Sequence, residues 1–384
     1  MTMPINARRR QLVLAGLSLP AMAAFSGGRY LAQQPAPREW LISAQGRTPE
    51  QYGAAWASSS THATTVTGLR GHDVLQHALR PQHLIVVARR PGRELVEIDL
   101  LSGRIQQRSA CLPHHHLNGH ACFSADGRYL FTSESDYQQG TGRLIVRDAD
   151  NYQVLDSFSS HGIGPHELQL MPDGRTLAVA NGGLLTHPDS GRKVLNLDSM
   201  RSSLSLIDSH NGELLAEYQV AEPKASIRHL DVAQDGSISV ALQMQRQAAE
   251  HQQLAPLAAL LPSGGNALQV LDTPETLLWH CNDYMGSTRI NGRSRLAGFT
   301  SPRGDIALFW HIDSGRLAGY HRLHDVCGLT VSLDQKRFIL TNSDGHIRQL
   351  DAFNLEEIPG SRQHLSDVAW DNHLHAIDPN LAAS

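Results

Sequence analysis

Along most of the chain a short apolar run is cut by a turn, followed by a second apolar run, a loop and two further short runs. Asp126-Gly127, Asp173-Gly174, Asp235-Gly236 and Asn291-Gly292 mark four such turns. Residues 168–171 and 176–180 flank the second of them, and apolar runs on either side of an Asp-Gly or Asn-Gly pair predict a hairpin. Third and fourth strands are predicted over residues 143–148 and 153–158, and again over 203–208 and 213–220. Four strands in every 40–60 residues or so is the period of a propeller blade. Weaker copies lie at 84–88 with 95–99, at 295–300 with 306–311, and at 337–341 with 346–351.

The predicted fold is therefore an all-β, seven-bladed β-propeller. Six or eight blades are also compatible, because residues 245–265 read as an insertion that blurs one boundary. The final strand signal, 365–377, is only part of a blade, and residues 38–66, which include Trp40, can supply its missing strands. The ring is thus expected to close with strands from both chain ends. Helical periodicity is poor except over 245–261, which reads as a surface excursion.

Composition agrees with this pattern. A chain of 384 residues exceeds the usual single core, and a repeat architecture accommodates that length without a second domain. Charged residues are only 18% of the chain while glycine numbers 32 and proline 18, which suits short strands joined by tight turns. A formal net charge of −4 provides no diffuse basic field, so neither nucleic acid nor an anionic membrane surface is an implied partner.

Arg8-Arg9-Arg10-Gln11-Leu12 opens an apolar or small stretch that runs to Phe25 and contains Ala21-Met22-Ala23, an A-x-A cleavage pattern. Residues 1–37 read as a signal peptide with its linker and 38–384 as the propeller. The paired arginines point to export of the folded protein by the twin-arginine translocase, hence to the periplasm, with no membrane span in the mature chain. An ordinary secretory signal with a basic start is the alternative. Cys111, Cys122, Cys281 and Cys327 show no CxxC or CxxCH spacing, so zinc-ribbon, thioredoxin-like and c-type haem sites lack their sequence support. Cys111 and Cys122 could pair if neighbouring strands bring them together, and buried free thiols fit equally well.

Histidine changes the picture most. Its 22 copies exceed the 8 Phe and 8 Tyr combined, and imidazole is the commonest metal ligand. Counting six or seven residues back from each hairpin turn lands where the innermost strand of a blade begins: His120 before Asp126, His166 before Asp173, His229 before Asp235. The first blade offers His72 or His77, and the remaining equivalents are Met285, Cys327 or Gly328, and His364. Blades converge on one axis, so His72, His120, His166 and His229 would meet at a channel mouth, with iron, copper or zinc as the matching metal. Repetition alone also explains one histidine per blade as a hydrogen-bonder between blades. The run His114-His115-His116 reads as loop surface that could assist a metal. Arg70, beside His72, and Arg228, beside His229, could hold a carboxylate or phosphate or neutralise Glu167 and Asp231. Gly162-Ile163-Gly164-Pro165-His166-Glu167 and Asn181-Gly182-Gly183 suit close backbone approach by a ligand or simple turns. The candidate ligand-binding residues are Glu167, Arg228, Arg70 and Asn181. Phosphate-loop, dinucleotide and Gly-x-Ser-x-Gly signatures are absent.

Ala88-Arg89-Arg90-Pro91-Gly92, Gly119-His120, Gly162 to Glu167, Ala180 to Gly183, Leu195 to Met200 and Ser226 to Leu230, taken in order, resemble the bacterial family called domain of unknown function 1513. The likeness spans nearly the whole mature chain. It implies a propeller-like exported protein, often with a twin-arginine signal, that accompanies imelysin-type iron-responsive periplasmic proteins and a di-haem cytochrome-like protein. No activity comes with it. The chain departs from the family around residues 108–118, where a histidine run replaces an aromatic one, and it carries extra residues between His72 and Pro81. The Gly162 to Glu167 stretch also resembles one segment of seven-bladed lactonases, although the arginine of that segment is missing; this likeness implies His166 or Glu167 as a general base and Arg228 as an anchor. The expected function is a periplasmic metal-binding or accessory protein in iron acquisition or iron-linked redox chemistry. A lactonase-like hydrolase and a ligand-free interaction scaffold are the competing readings, and fold alone does not rank them.

Overall fold

The computed structural model describes residues 39–191, 193–249 and 253–380. The signal-peptide reading of residues 1–37 lies outside them. Seven four-stranded antiparallel sheets are present, each a blade. Blade 1 joins Trp40–Gln45, Gly53–Ala57 and His62–Val66 to His375–Ile377, which forms its innermost strand. Blades 2 to 7 follow in chain order, with innermost strands Gly71–Gln76, His115–Phe123, Pro165–Leu170, Ala225–Val232, Ser287–Asn291 and Val326–Val331. Each innermost strand contacts the next, and the seventh contacts that of blade 1, so the ring is closed. The two chain ends meet in register, Trp40 opposite Ile377 and Ile42 opposite His375.

Burial explains why the strands differ in composition. A middle strand is covered on both faces by adjacent blades and is mostly apolar in several blades, as in His83–Ala88 (HLIVVA) or Ile306–His311 (IALFWH). An outermost strand is half solvated and reads polar, as in Ile105–Ala110 (IQQRSA). The cores accordingly lie between blades: Ile42, Trp56, Val74 and Leu84 join blades 1 and 2, while Leu41, Ile339, Trp370 and Leu374 join blades 7 and 1.

The turns follow the predicted chemistry at Gly174 and Gly236, whose φ values are 69° and 86°. The Asn291-Gly292 turn does not; there the left-handed residue is Arg295, at φ 57°. Two expectations fail more clearly. The described residues of 245–261 are not a helical excursion, because Ala258–Leu261 is a fully buried third strand of blade 5 and among them only Arg246–Ala248 forms a single 3-10 turn. Four apolar residues in a row carry no period by which strand and helix differ. His115 and His116 are not loop surface; they begin the inner strand of blade 3, with His115 Nδ1 3.2 Å from Glu134 Oε2. All four cysteines are free, and burial pushes their thiol pKa values up, that of Cys281 to about 12. No helix among the described residues is long and apolar enough to cross a membrane.

Candidate metal centre

Four of the seven inner strands deliver a histidine to the axis by one device. Strand pairing skips a residue or more at the top of the strand, between Gly71 and Asp73 in blade 2, Leu117 and Ala121 in blade 3, Pro165 and Leu168 in blade 4, and Ile227 and His229 in blade 5. Such a bulge re-aims the side chains beside it. It turns His72, His120, His166 and His229 onto the axis. His373, two residues before the closing strand, completes the layer. Blade 6 pairs without a bulge and contributes no histidine.

The imidazoles touch. Ring centroids are 4.8 Å apart for His72 and His120, 4.5 Å for His120 and His373, 4.6 Å for His373 and His229, and 4.7 Å for His229 and His166. One ring nitrogen each from His72, His120, His229 and His373 lies within 4.8 Å of the others. Tetrahedral ligands with bonds of about 2.1 Å lie about 3.4 Å apart, so an inward shift of up to roughly 0.7 Å per ring would close the set. His166 is coupled to the group through Nε2, 3.3 Å from His72 Nε2.

Carboxylates orient the rings from below. Glu167 Oε2 accepts from His229 Nδ1 at 2.9 Å, and Asp73 Oδ2 is 3.4 Å from His120 Nδ1. The Glu167 hydrogen bond places the proton on His229 Nδ1 and leaves Nε2 as the lone-pair atom, the arrangement that outer-shell carboxylates impose on metal-bound histidines. Asp73 also accepts from His375 Nε2 at 2.7 Å. Burial alone would raise the pKa of Asp73, but His375 and His120 outweigh it and hold the carboxyl well below its usual range. His72, His166, His229 and His373 are held well below 6.5, chiefly by burial and then by positive neighbours, including Arg89 beside His72 and Arg228 beside His166. They are neutral at pH 7, the protonation state that ligates metal.

The decisive feature is what the layer lacks. His72 Nδ1, His120 Nε2 and His373 Nε2 are buried without a hydrogen-bond partner among the described residues. Each such group costs roughly 1–3 kcal/mol unless something binds it. Gly119, at φ 115°, shows how tightly the layer is built: a Cβ there would sit 2.3 Å from His72 Cδ2. Gly119→Ala is expected to cost about 1–3 kcal/mol and to displace the His72 ring. A urea midpoint equal to that of the wild type would contradict this packing.

The structure therefore brings together His120, His166 and His229, the three counted back from the turns, with His72 of the two first-blade candidates, and adds His373. They lie inside the channel rather than at an open mouth, with His229 and His373 each 1% exposed. His77 is the other first-blade candidate; its Nε2 is 2.9 Å from Ala149 O, so it ties blade 2 to blade 3 as a structural hydrogen-bonder. Met285 packs in the core of blades 4 to 6, Cys327 Sγ lies 3.3 Å from Trp370 O, and His364 stacks on His346 in an outer strand, so none of these joins the layer. Among the ligand candidates, Glu167 and Arg228 line cavities on opposite sides of the histidines. Arg70 lies near the Tyr52 ring in a neighbouring hollow. Asn181 Nδ2 donates to Ser160 O and Ser205 Oγ inside blade 4.

A family model described as "Protein of unknown function (DUF1513)" matches residues 65–377, all but the first strands of blade 1. No curated protein matches the chain.

Proposed function

From the premise that the chain belongs to this family of unknown function, we propose that it is a transition-metal-binding propeller whose site is the buried histidine layer of His72, His120, His229 and His373, with His166 alongside. The observation that carries this reading is a buried layer of four histidines with one ring nitrogen each within 4.8 Å of the others, three of whose rings carry a partnerless nitrogen. Histidines that join blades find carbonyl partners, as buried His77 does with Ala149 and part-buried His161 with Gly212; outside the layer His116 Nε2 is also without a partner among the described residues. Imidazole donors suit zinc, copper and iron. Iron, a periplasmic location reached through the leader, and service beside imelysin-type and di-haem cytochrome-like proteins are the context that the leader and the family resemblance support.

If a metal binds here, the imidazoles of His72, His120, His229 and His373 would hold it and it would supply Lewis-acid or one-electron chemistry. Glu167 keeps His229 in the ligating tautomer, and the Asp73 carboxylate lies 3.4 Å from His120 Nδ1. The test is thermal unfolding of chelator-stripped protein with one equivalent of Zn(II), Cu(II) or, anaerobically, Fe(II). Tight binding to the folded state alone raises stability by about 4 kcal/mol at a free metal concentration a thousandfold above Kd. A rise in Tm with at least one ion is expected, and unchanged unfolding with all three would refute the proposal.

A further inference from the structure

The two sides of the histidine layer differ in charge. On one side a cavity of about 700 Å³ is lined by Asp73, Glu167 and Asp231, with Arg289 and His375. On the other a cavity of about 360 Å³ has His72 and His166 in its wall and is lined by Arg89, Arg90, Arg228 and Arg303, with no carboxylate among its described lining residues. Like charges gathered in a concave, poorly solvated wall focus a positive potential that an anion relieves. Asp371 meets Arg89 at 3.0 Å from behind. Arg228 is only 9% exposed, and the bare backbone of Gly182 makes room for it, since a Cβ there would lie 3.2 Å from Arg228 Nη1. Arg303 reaches in over the Tyr284 ring, 4.8 Å from its centroid. Side-chain amides, among them Asn118, Gln243 and Asn372, complete the wall.

We propose that this arginine-lined cavity binds a small polycarboxylate, seated on guanidinium groups from several blades with His72 and His166 beside it. The placement points to the class. Arg89 and Arg90 follow the second strand of blade 2, Arg228 stands on the inner strand of blade 5, and Arg303 is in the 3-10 turn of blade 6. Guanidinium groups carried by three different blades suit several carboxylates on one carbon skeleton, each in the planar fork that guanidinium presents. Amides in the wall suit hydroxyl or carbonyl groups between the carboxylates. The inference rests on the arginine lining and not on the occupant of the histidine layer, so it stands or falls separately from the metal reading.

The experiment is calorimetric titration of the chelator-stripped full chain with tricarballylate, succinate, acetate and inorganic phosphate. Tricarballylate or succinate is expected to bind saturably and at least about tenfold more tightly than acetate or phosphate, with affinity falling as salt rises from about 0.02 to 0.2 M. Arg303→Gln, at an exposed position, and Arg228→Gln should each weaken that binding about fivefold or more while Arg303→Gln leaves Tm unchanged. Three results would overturn the proposal: no binding of either polycarboxylate at about 10 mM, phosphate binding as tightly as tricarballylate, or affinity untouched by Arg303→Gln.

Discussion

Replacing His229 and His373 together by alanine is expected to abolish stoichiometric metal binding, while Glu167→Gln lowers affinity only about 10–100-fold. The two effects differ because the first removes two donors of the layer and the second leaves all donors present but frees the His229 ring to rotate. Glu167 makes its 2.9 Å contact with His229 Nδ1 and also accepts from Leu230 N at 3.4 Å, so the amide replacement keeps the shape and loses the charge. Competition against a chromophoric chelator measures both variants. Equal affinity in the double variant and the wild type would remove the layer from consideration as a metal site.

The largest expected effect on stability lies away from the axis. Glu134 and Arg147, 0% and 1% exposed, pair at 2.6 Å between the second and third strands of blade 3. Glu134 also accepts from Thr132 Oγ1 at 2.9 Å and meets His115 at 3.2 Å, while Arg147 donates to Ala110 O in blade 2 and Tyr152 O. Burial would push the Glu134 carboxyl up, but His115 and Arg147 outweigh it and keep it below its usual range. Arg147→Ala strands that carboxylate and is expected to cost about 3–5 kcal/mol. Replacing both partners by apolar residues, Glu134→Leu with Arg147→Met, should recover most of the loss. Urea unfolding decides it, and a loss below about 1 kcal/mol for Arg147→Ala would show the pair to be dispensable.

The blades were legible because Asp-Gly turns recur between apolar runs, and the same turns located His120, His166 and His229 by simple counting. His373 was not legible that way. Its blade is split between the chain ends, its inner strand is only the three residues His375–Ile377, and no Asp-Gly turn follows to count from. Counting on from blade 7 therefore reached His364, which belongs to the outermost strand of that blade. The bulges were hidden for another reason: a skipped pairing is a relation between two strands, and the run Gly119-His120 carries its only trace, a glycine where a side chain would strike His72. The division of charge across the layer was likewise out of reach, since Arg228 and Glu167 look like partners in the sequence and face different cavities in the fold.

The most direct measurement is elemental analysis of the untagged protein isolated from its own cells without chelators, beside the His229→Ala/His373→Ala variant prepared identically. The account predicts close to one equivalent of a transition metal in the wild type and none in the variant. No metal in the wild type, or the same content in both, would contradict it and return the histidines to a role in holding blades together.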